Sequence, residues 1–298
     1  MDITVKKKTA NRKSGFEFLD AAILAILLII AVLIIFPFLS VIATSFATQK
    51  EYLESKLLLF PKSPTIDNYY RLFQDGRIWI GYRTTIIFLV IGVPLNLFLT
   101  TSLAYGLSRK HFPGSRLLFY AILVTMLFNG GIVPLYLLMM QMKLTNTFWS
   151  VILAYGVNTF YMIIMRTYMT TLPESLMESA KLDGASEWRI LFYIVLPLSM
   201  PIIATFILFY SVDRWNEWFN AMIFIRKNNI VPLQLVLRNI VIESRVVDTM
   251  AISGEYEIRF ADGMKMAAII VTMLPIMCFF PFLQKYFVKG IMIGAIKA

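Results

Sequence analysis

The chain has 298 residues, of which 58% are hydrophobic and only 15% are charged, with a formal net charge of +10. This composition excludes a soluble globular domain, because apolar runs of about 20 residues recur along the chain and each can cross a bilayer. The basic balance indicates contact with anionic membrane lipid rather than binding to nucleic acid. The single Cys278 and the single His111 exclude an internal disulfide, a cysteine-based metal site and a histidine cluster.

Six apolar runs predict an all-α integral membrane protein with six transmembrane helices. We divide the chain into a basic terminal segment (1–20), a transmembrane domain (21–288) and a tail (289–298). The first run is too long for the core of a signal peptide, so we expect it to remain as a span. Long polar loops at 45–79 and 226–265 follow the first and fifth spans. The predicted spans cover residues 21–41, 80–108, 117–140, 148–169, 201–225 and 266–284.

The short loops predict which side of the membrane is cytoplasmic. Six spans place both termini on one side. The turn after the second span, 109–116, is basic, whereas the turn after the third, 141–147, carries only Lys143. Short loops rich in Lys and Arg stay in the cytoplasm. We therefore expect both termini and the polar loop between the fourth and fifth spans to be cytoplasmic.

This polar loop, residues 171–200, has the pattern of two short helices joined at a hinge. Pro173 suits a first helical turn. Gly184 is placed just past the end of the first helix, where the backbone is left-handed, and Ser186 can cap the second helix. Apolar residues of the second helix recur at three-to-four-residue spacing and predict one shared face before the exit at Pro197. They are Trp188, Leu191, Phe192 and Val195.

The same loop resembles the EAA loop of binding-protein-dependent ABC importer permeases. Ser179 stands where that family has alanine, and this exchange of small residues should fit the same contact. The resemblance implies an EAA coupling helix that docks into a groove on a separate ATPase subunit. The alternative is an ordinary amphipathic loop on the membrane surface, which does not require an Asp-Gly hinge or a Leu-Pro exit. The residues that carry the resemblance and the predicted contact are Glu178, Ser179, Ala180, Asp183, Gly184, Ala185, Leu196 and Pro197, supported by Ser186 and Ile194.

No nucleotide-binding motif accompanies this loop. The chain lacks the pattern Gly-x-x-x-x-Gly-Lys-Ser/Thr, whose backbone amides cradle phosphates. It also shows no nucleophile beside a general base. We therefore expect a chain that is not an enzyme by itself and binds no cofactor, with ATP and Mg held by the partner ATPase.

The fifth predicted span is unusually polar. Charges within a span cost roughly 2.5–3.5 kcal/mol each at a helix centre and usually line a pathway. One interpretation is a pathway face, with Trp215 and Trp218 available to stack on sugar rings. The other is an interfacial segment at the outer end of the span, with Arg214 and Glu217 paired and solvated. The residues that three-to-four spacing predicts on one helical face are Asp213, Asn216, Glu217 and Asn220.

The third predicted span is interrupted by Asn129, Gly130 and Gly131, shortly before Pro134. This sequence predicts either a break that frees carbonyl groups toward a cavity or a kink at which two helices pack closely. Both interpretations are open at this point.

Four stretches, 129–134, 215–221, 232–238 and 285–290, resemble the polysaccharide-type branch of the carbohydrate-uptake permeases, which are relatives of the maltose-transporter permeases. The resemblance implies one permease of a heterodimer in the bacterial cytoplasmic membrane. Its partners would be a second permease, two ATPase subunits, an extracytoplasmic solute-binding protein and an oligosaccharide, with uronates among the candidate sugars. The predicted substrate path is lined by Asn129, Gly130, Gly131, Asp213, Trp215, Asn216, Glu217, Trp218 and Asn220.

Two other classes of membrane protein compete with this interpretation. Acidic residues at mid-membrane favour a secondary carrier driven by an ion gradient. Such a carrier has no need of a cytoplasmic hinge loop, and the inverted-repeat halves typical of many carriers are not evident in the sequence. A membrane scaffold without transport would leave the polar face of the fifth span unexplained.

Overall fold

The computed structural model describes residues 16–54, 58–109, 112–252 and 261–295, and within these ranges every regular element is a helix. Most of the predicted terminal segment and the last three residues of the tail lie outside the described residues. The helices are α1 Phe16–Ser45, α2 Gln49–Glu54, α3 Asp67–Gln74, α4 Arg77–Ile87, α5 Val93–Ser108, α6 Ser115–Leu127, α7 Ile132–Gln141, α8 Phe148–Ala154, α9 Thr159–Met169, α10 Glu174–Leu182, α11 Glu187–Ile190, α12 Leu196–Leu198, α13 Met200–Trp215, α14 Phe219–Phe224, α15 Leu233–Ile252 and α16 Ala261–Ala295. Two π-helical stretches, Phe88–Gly92 and Leu191–Val195, join α4 to α5 and α11 to α12, and a 3-10 turn covers Asn228–Ile230.

Three continuous helical runs are long and apolar enough to cross a membrane: Asp20–Ser45, Arg77–Ser108 and Ala261–Phe279. Three further pairs meet this condition only together, because each is bent at a break. The angles are 116° between α6 and α7, 53° between α8 and α9, and 86° between the α11–α12 segment and α13. The described residues therefore hold three spans, or up to six if each bent pair is one span, and the count of six stays a prediction. The domain limits also stay a prediction, and α16 runs through 288 to Ala295 without a break.

The glycines at the break between α6 and α7 allow the chain to turn. Gly131 has a φ of 88°, a backbone conformation that glycine adopts without steric cost. Its amide donates to Asn129 Oδ1 at 2.9 Å. A Cβ placed at Gly130 or Gly131 would meet no described atom within 4 Å. Among the described residues no other helix packs against these glycines, and the chain turns here.

The predicted fifth span is also broken, and this corrects the predicted helical face. Helix α13 ends at Trp215, and Asn216 follows as its C-cap residue. Trp218 then has a φ of −129° and a ψ of −35°, outside the helical region, before α14 begins. Asp213 therefore lies on a different helix from Asn220, and the residues predicted to share one face are distributed around a turn.

One apolar cluster joins the polar loop to the helix bundle. Met177, Leu191 and Val195 of the loop are buried with Met165 of α9 and Tyr210 of α13. Helix α1 lies outside this core. It contacts α16, and none of its most apolar window is buried within the chain. An apolar surface of this size faces lipid or another subunit.

Candidate functional site

Three helix breaks, between α6 and α7, between α8 and α9, and between α13 and α14, meet at one cavity of about 780 Å³. The third bent pair breaks at Ser199, which does not line this cavity. Helix breaks at membrane depth free backbone and side-chain polar groups, and such groups are tolerated where they line a cavity. Among the described residues, no group of three or more His, Cys, Asp or Glu could hold a metal ion. The polar lining residues are Thr125, Asn129, Tyr155, Asn158, Thr159, Tyr210, Asp213, Arg214, Glu217 and Asn220.

Four residues of the predicted path line this cavity: Asn129, Asp213, Glu217 and Asn220. The five others, which the cavity does not include, are Gly130, Gly131, Trp215, Asn216 and Trp218.

Three of these five residues lie outside the cavity for different reasons. Trp215 is only 9% exposed and packs in an apolar cluster with Leu233, so it contributes to the core and not to the cavity wall. The side chain of Asn216 turns back to donate to the carbonyl of Val212 at 2.9 Å. Trp218 lies beneath the guanidinium of Arg238, at 5.2 Å from the ring centroid.

Arg214 is the most constrained side chain at the cavity, and it is 3% exposed. Its guanidinium donates to the carbonyls of Val151 and Ile152, both at 3.1 Å, and of Tyr155 at 3.3 Å. Its Nε donates to Asn96 Oδ1 at 3.0 Å. The three carbonyls belong to the end of α8, where helix carbonyls have no intrahelical partner and carry partial negative charge. Arg214 therefore ties α13 to the break between α8 and α9.

Glu217 connects the two sides of the next break. Its Oε2 lies 3.6 Å from Arg214 Nη1, and the two side chains are only 10% and 3% exposed. Its Oε1 accepts hydrogen bonds from the backbone N–H of Asn220 at 3.1 Å and from Asn220 Nδ2 at 3.0 Å. The predicted pair of Arg214 and Glu217 is present, but it is buried and not solvated as the interfacial interpretation expected.

Residues that the sequence reasoning missed lie in the cavity lining or contact it. The hydroxyl of Tyr161 donates to Asp213 Oδ2 at 3.1 Å. Tyr210 bonds to Thr100 at 2.6 Å and accepts from the backbone N–H of Asn158 at 3.2 Å. Asn158 also caps α9, and an Asn before a helical pattern is a signal that could have been found. The tyrosine contacts join distant residues and leave no such local signal.

The polar loop between α9 and α13 folds as two helices around the predicted hinge. Gly184 has a φ of 81°. Its N–H donates to the Lys181 carbonyl at 3.0 Å, and the N–H of Ala185 donates to the Ala180 carbonyl at 2.9 Å. This pair of bonds is a Schellman motif, which uses the left-handed residue to close the helix. The predicted cap is also present, since Ser186 Oγ accepts from the Arg189 N–H at 3.4 Å.

Two details of this segment differ from the prediction. Pro173 precedes α10 with a ψ of 120° and is not part of its first turn. The predicted apolar face divides into two: Leu191 is buried, and so is Val195, whereas Trp188 and Phe192 are exposed and stacked on each other at 6.1 Å. Each pair is four residues apart, so the two pairs lie on adjacent stripes.

Glu187 fastens this segment to α5. It forms an ion pair with Lys181 across the hinge and accepts a hydrogen bond from the hydroxyl of Tyr105. Glu187 is the first residue of α11, on the polar loop that the sequence predicts to be cytoplasmic. Partial burial opposes its ionisation, but the hydrogen bonds from Lys181 and Tyr105 outweigh this cost and hold the pKa of Glu187 below its ordinary value. The carboxylate therefore stays ionised near neutral pH.

The outer surface of α10 carries exposed residues of the predicted coupling motif. Glu178, Ser179 and Asp183 are exposed, and Leu182 is 90% exposed. Met177, on the inner side, is buried in the core cluster. Ala180, Ala185 and Leu196 are half-buried, and Pro197 is exposed.

A helical membrane chain with three breaks around one polar cavity, and with a polar helix pair packed against its bundle, has the arrangement expected of a transport permease. The chain belongs to the family described as the inner membrane component of binding-protein-dependent transport systems, which matches residues 84–293.

Several known proteins are similar over nearly their whole length. Protein LplC of Bacillus subtilis strain 168 is 39% identical, with 96% of this chain and 97% of LplC covered. The polygalacturonan/rhamnogalacturonan transport system permease protein YtcP of the same organism is 37% identical, with 93% and 98% covered. The arabinooligosaccharides transport system permease protein AraQ of Halalkalibacterium halodurans is 28% identical, with 90% and 93% covered.

A solved structure is similar as well. The crystal structure of a bacterial ABC transporter involved in the import of the acidic polysaccharide alginate matches with a TM-score of 0.83 and 28% identity, covering 92% of this chain and 98% of the other. The chain is therefore an inner-membrane permease component of a binding-protein-dependent ABC importer and not an enzyme. Such a component works with a further permease, an ATPase and a substrate-binding protein. The comparisons do not support the secondary-carrier alternative.

Proposed function

We propose that this chain is one permease of a heterodimeric oligosaccharide importer, with both termini in the bacterial cytoplasm. The observation that carries the proposal is that the breaks between α6 and α7, between α8 and α9, and between α13 and α14 meet at one polar cavity. Two separate ATPase subunits would hold ATP and Mg, and an extracytoplasmic solute-binding protein would deliver the sugar. In this arrangement the cavity forms half of the translocation path.

The cavity has the chemistry that binds sugar hydroxyls. Asn129 supplies an amide with both donors and acceptors, and Asp213 supplies a carboxylate that accepts from hydroxyl groups. Asp213 is exposed within this lining, although one of its oxygens already accepts from Tyr161. The aromatic rings of Tyr155 and Phe160 add apolar surface beside these groups. A hydroxyl-rich ligand fits such a mixed wall better than an apolar one.

The charges of the cavity favour neutral sugars over uronates on this side of the path. Asp213 and Glu217 are acidic, and the guanidinium N–H groups of Arg214 already donate to backbone carbonyls and to Asn96. Yet relatives are named for polygalacturonan and for alginate, and AraQ for arabinooligosaccharides. We therefore propose oligosaccharides as the substrate class, with the second permease supplying cations if the sugar is acidic.

The helix pair between α9 and α13 serves as the coupling segment in this proposal. Its exposed residues, Glu178 and Leu182 among them, would enter a groove on the ATPase, while Met177 and Glu187 transmit the movement inward. Closure of the ATPase subunits then shifts the permease pair between two conformations. The shift is driven by the difference between the free energies with which the closed ATPase subunits bind the two conformations. Release of the sugar into the cytoplasm follows from this shift.

The importer reconstituted in proteoliposomes with its partner subunits tests the proposal. We expect ATP-dependent uptake of labelled arabino-oligosaccharides or galacturonate oligomers, in the presence of the binding protein. Glu178→Lys should lower uptake while ATP hydrolysis continues, and Lys143→Glu, on a turn away from the coupling segment, should leave both unchanged. Uptake that follows an ion gradient and proceeds without the ATPase would contradict the proposal.

A further inference from the structure

A second polar cavity, of about 620 Å³, opens between the end of α5, the start of α6, the end of α9 and the start of α10. It lies on the coupling side of the bundle, and the transport path proposed above does not use it. Its polar lining consists of three arginines, three hydroxyl residues and one acid. These residues are Arg109, Arg116, Arg166, Ser108, Ser115, Thr170 and Glu174.

Two of the arginines are positioned by their neighbours. Arg166 donates through Nε to the Leu107 carbonyl at 2.9 Å, and its guanidinium lies 4.3 Å from the ring centroid of Phe119. Arg109 lies over the ring of Tyr105 at 5.5 Å. These contacts hold both guanidinium groups in place, and neither set of contacts involves a carboxylate. The cavity is thus a preformed cationic site.

The charge and shape of the lining match a phosphate group. Three guanidinium groups face one carboxylate among the described lining residues, so positive charge is in excess. Guanidinium groups bind phosphate oxygens through paired, charge-assisted hydrogen bonds. The hydroxyls of Ser115 and Thr170 add donors at the same wall.

An apolar surface continues from this cavity along α6. Every described side chain of α6 remains at least partly exposed. Leu117 is 76% exposed and Tyr120 is 62% exposed, directly after Arg116 on the same helix. A basic pocket between membrane helices with apolar surface beside it is the arrangement that binds the headgroup and chains of an acidic phospholipid.

We propose that this cavity binds a phosphate-bearing anion, and that the headgroup of an acidic phospholipid, with its chains along α6, is the source the structure favours. Bound there, the phosphate would contact arginines at the end of α5, on α6 and on α9, next to the start of the coupling segment. The lipid then stabilises the junction through which the coupling segment moves the bundle.

The complete importer, purified in detergent, tests this site by titration with phosphatidylglycerol in mixed micelles and, separately, with glycerol phosphate. Binding is read by native mass spectrometry. The test variants are Arg116→Gln, which changes an exposed side chain, and the double variant Arg116→Gln/Arg166→Gln. Arg226→Gln is the matched control, because its side chain is exposed outside the cavity. Thermal unfolding of each complex shows whether the fold is kept.

We expect wild type and Arg226→Gln to retain phosphatidylglycerol, and each test substitution to weaken its binding about tenfold or more, the effect of one charge-assisted hydrogen bond. If glycerol phosphate binds with the same dependence on the arginines, the site binds a soluble phosphate. That result would support the phosphate site and overturn the phospholipid as its ligand. Equal binding by wild type and the double variant would overturn the proposal. Loss of the ATPase subunits from the double variant, with lipid binding unchanged, would overturn it too and assign the cavity to an acidic ATPase side chain.

Discussion

The coupling segment and the central cavity are stabilised by different kinds of contact. In the coupling segment, the bonds that form the hinge join residues within five positions of each other, as in the bond from Ala185 to Ala180. At the cavity, the bonds of Arg214 reach back along the chain to Asn96 and to the end of α8. The first region is therefore built by local sequence, and the second exists only after the helices have packed.

This difference predicts how a substitution in each region affects transport and stability. A substitution in the coupling segment should leave a folded permease that no longer responds to ATP, because the segment is a small, partly exposed unit. A substitution at the buried contacts of the cavity should lower the stability of the whole bundle. Four sets of variants can sharpen or break this comparison, and they follow from the largest expected effect to the smallest.

Arg214→Met should have the largest effect. It leaves the carboxylate of Glu217 and three carbonyls without their buried partner, and breaking a buried ion pair costs roughly 3–5 kcal/mol of folding free energy. We expect a lower unfolding temperature and a lower yield of the complex, measured by thermal denaturation in detergent. Arg226→Met removes an exposed arginine of equal charge and should be neutral. Equal stability of the two variants would show that Arg214 is not a structural clamp.

Gly184→Pro should abolish transport but keep the fold. Proline holds φ near −65°, whereas this position has a φ of 81°. The control is Gly184→Asn, because asparagine tolerates the left-handed region and no described atom lies within 4 Å of the new Cβ. The measurements are uptake and recovery of the ATPase subunits with the permease. Normal uptake by the proline variant would contradict the hinge.

Tyr105→Phe should weaken the connection between the coupling segment and α5. It removes one hydrogen bond to an ionised Glu187 whose side chain is half exposed, so the loss is about 1 kcal/mol. Uptake per ATP hydrolysed should fall about fivefold, while binding of the ATPase subunit is unchanged. Tyr193→Phe, which changes an exposed tyrosine of the same segment, is the control. If both variants have the same ratio of uptake to hydrolysis, this connection does not transmit movement.

Asn220→Ala and Asn216→Ala should differ, although the sequence predicted the same role for both. Asn220 lines the cavity, so removal of its amide should lower uptake two- to tenfold, equivalent to one hydrogen bond. The side chain of Asn216 bonds only to its own helix among the described residues, and its loss should change uptake less than twofold. Equal effects would mean that this cavity is not the substrate path.

The same comparison explains how much could be predicted from the sequence. The hinge at Gly184 and the cap at Ser186 were predicted correctly, because glycine and serine have conformational preferences that act within a few residues. Apolar runs likewise identified the membrane helices. The number of continuous spans was harder, since Gly130 and Gly131 predicted a break or a kink but not that the two helices meet at 116°.

The cavity was predicted only in part, for a physical reason. Helical spacing placed Asn216 with Asp213 and Asn220, but α13 ends at Trp215, next to Arg214, whose guanidinium is bound by carbonyls of α8. Contacts of this kind depend on tertiary packing and override local periodicity. The resemblance to a family identified the correct stretch of chain, whereas the side chains that face the cavity required the structure.

The most direct test of the account is whether the coupling segment controls access to the cavity. Asn129→Cys in a Cys278→Ser background places a thiol on the exposed cavity wall. Its reaction with a membrane-impermeant thiol reagent is measured in the reconstituted importer, with and without ATP and binding protein, and again with Gly184→Pro added. We predict that ATP changes the rate several-fold and that the proline variant abolishes this change. A rate that responds to ATP equally in both proteins, or in neither, would contradict the account.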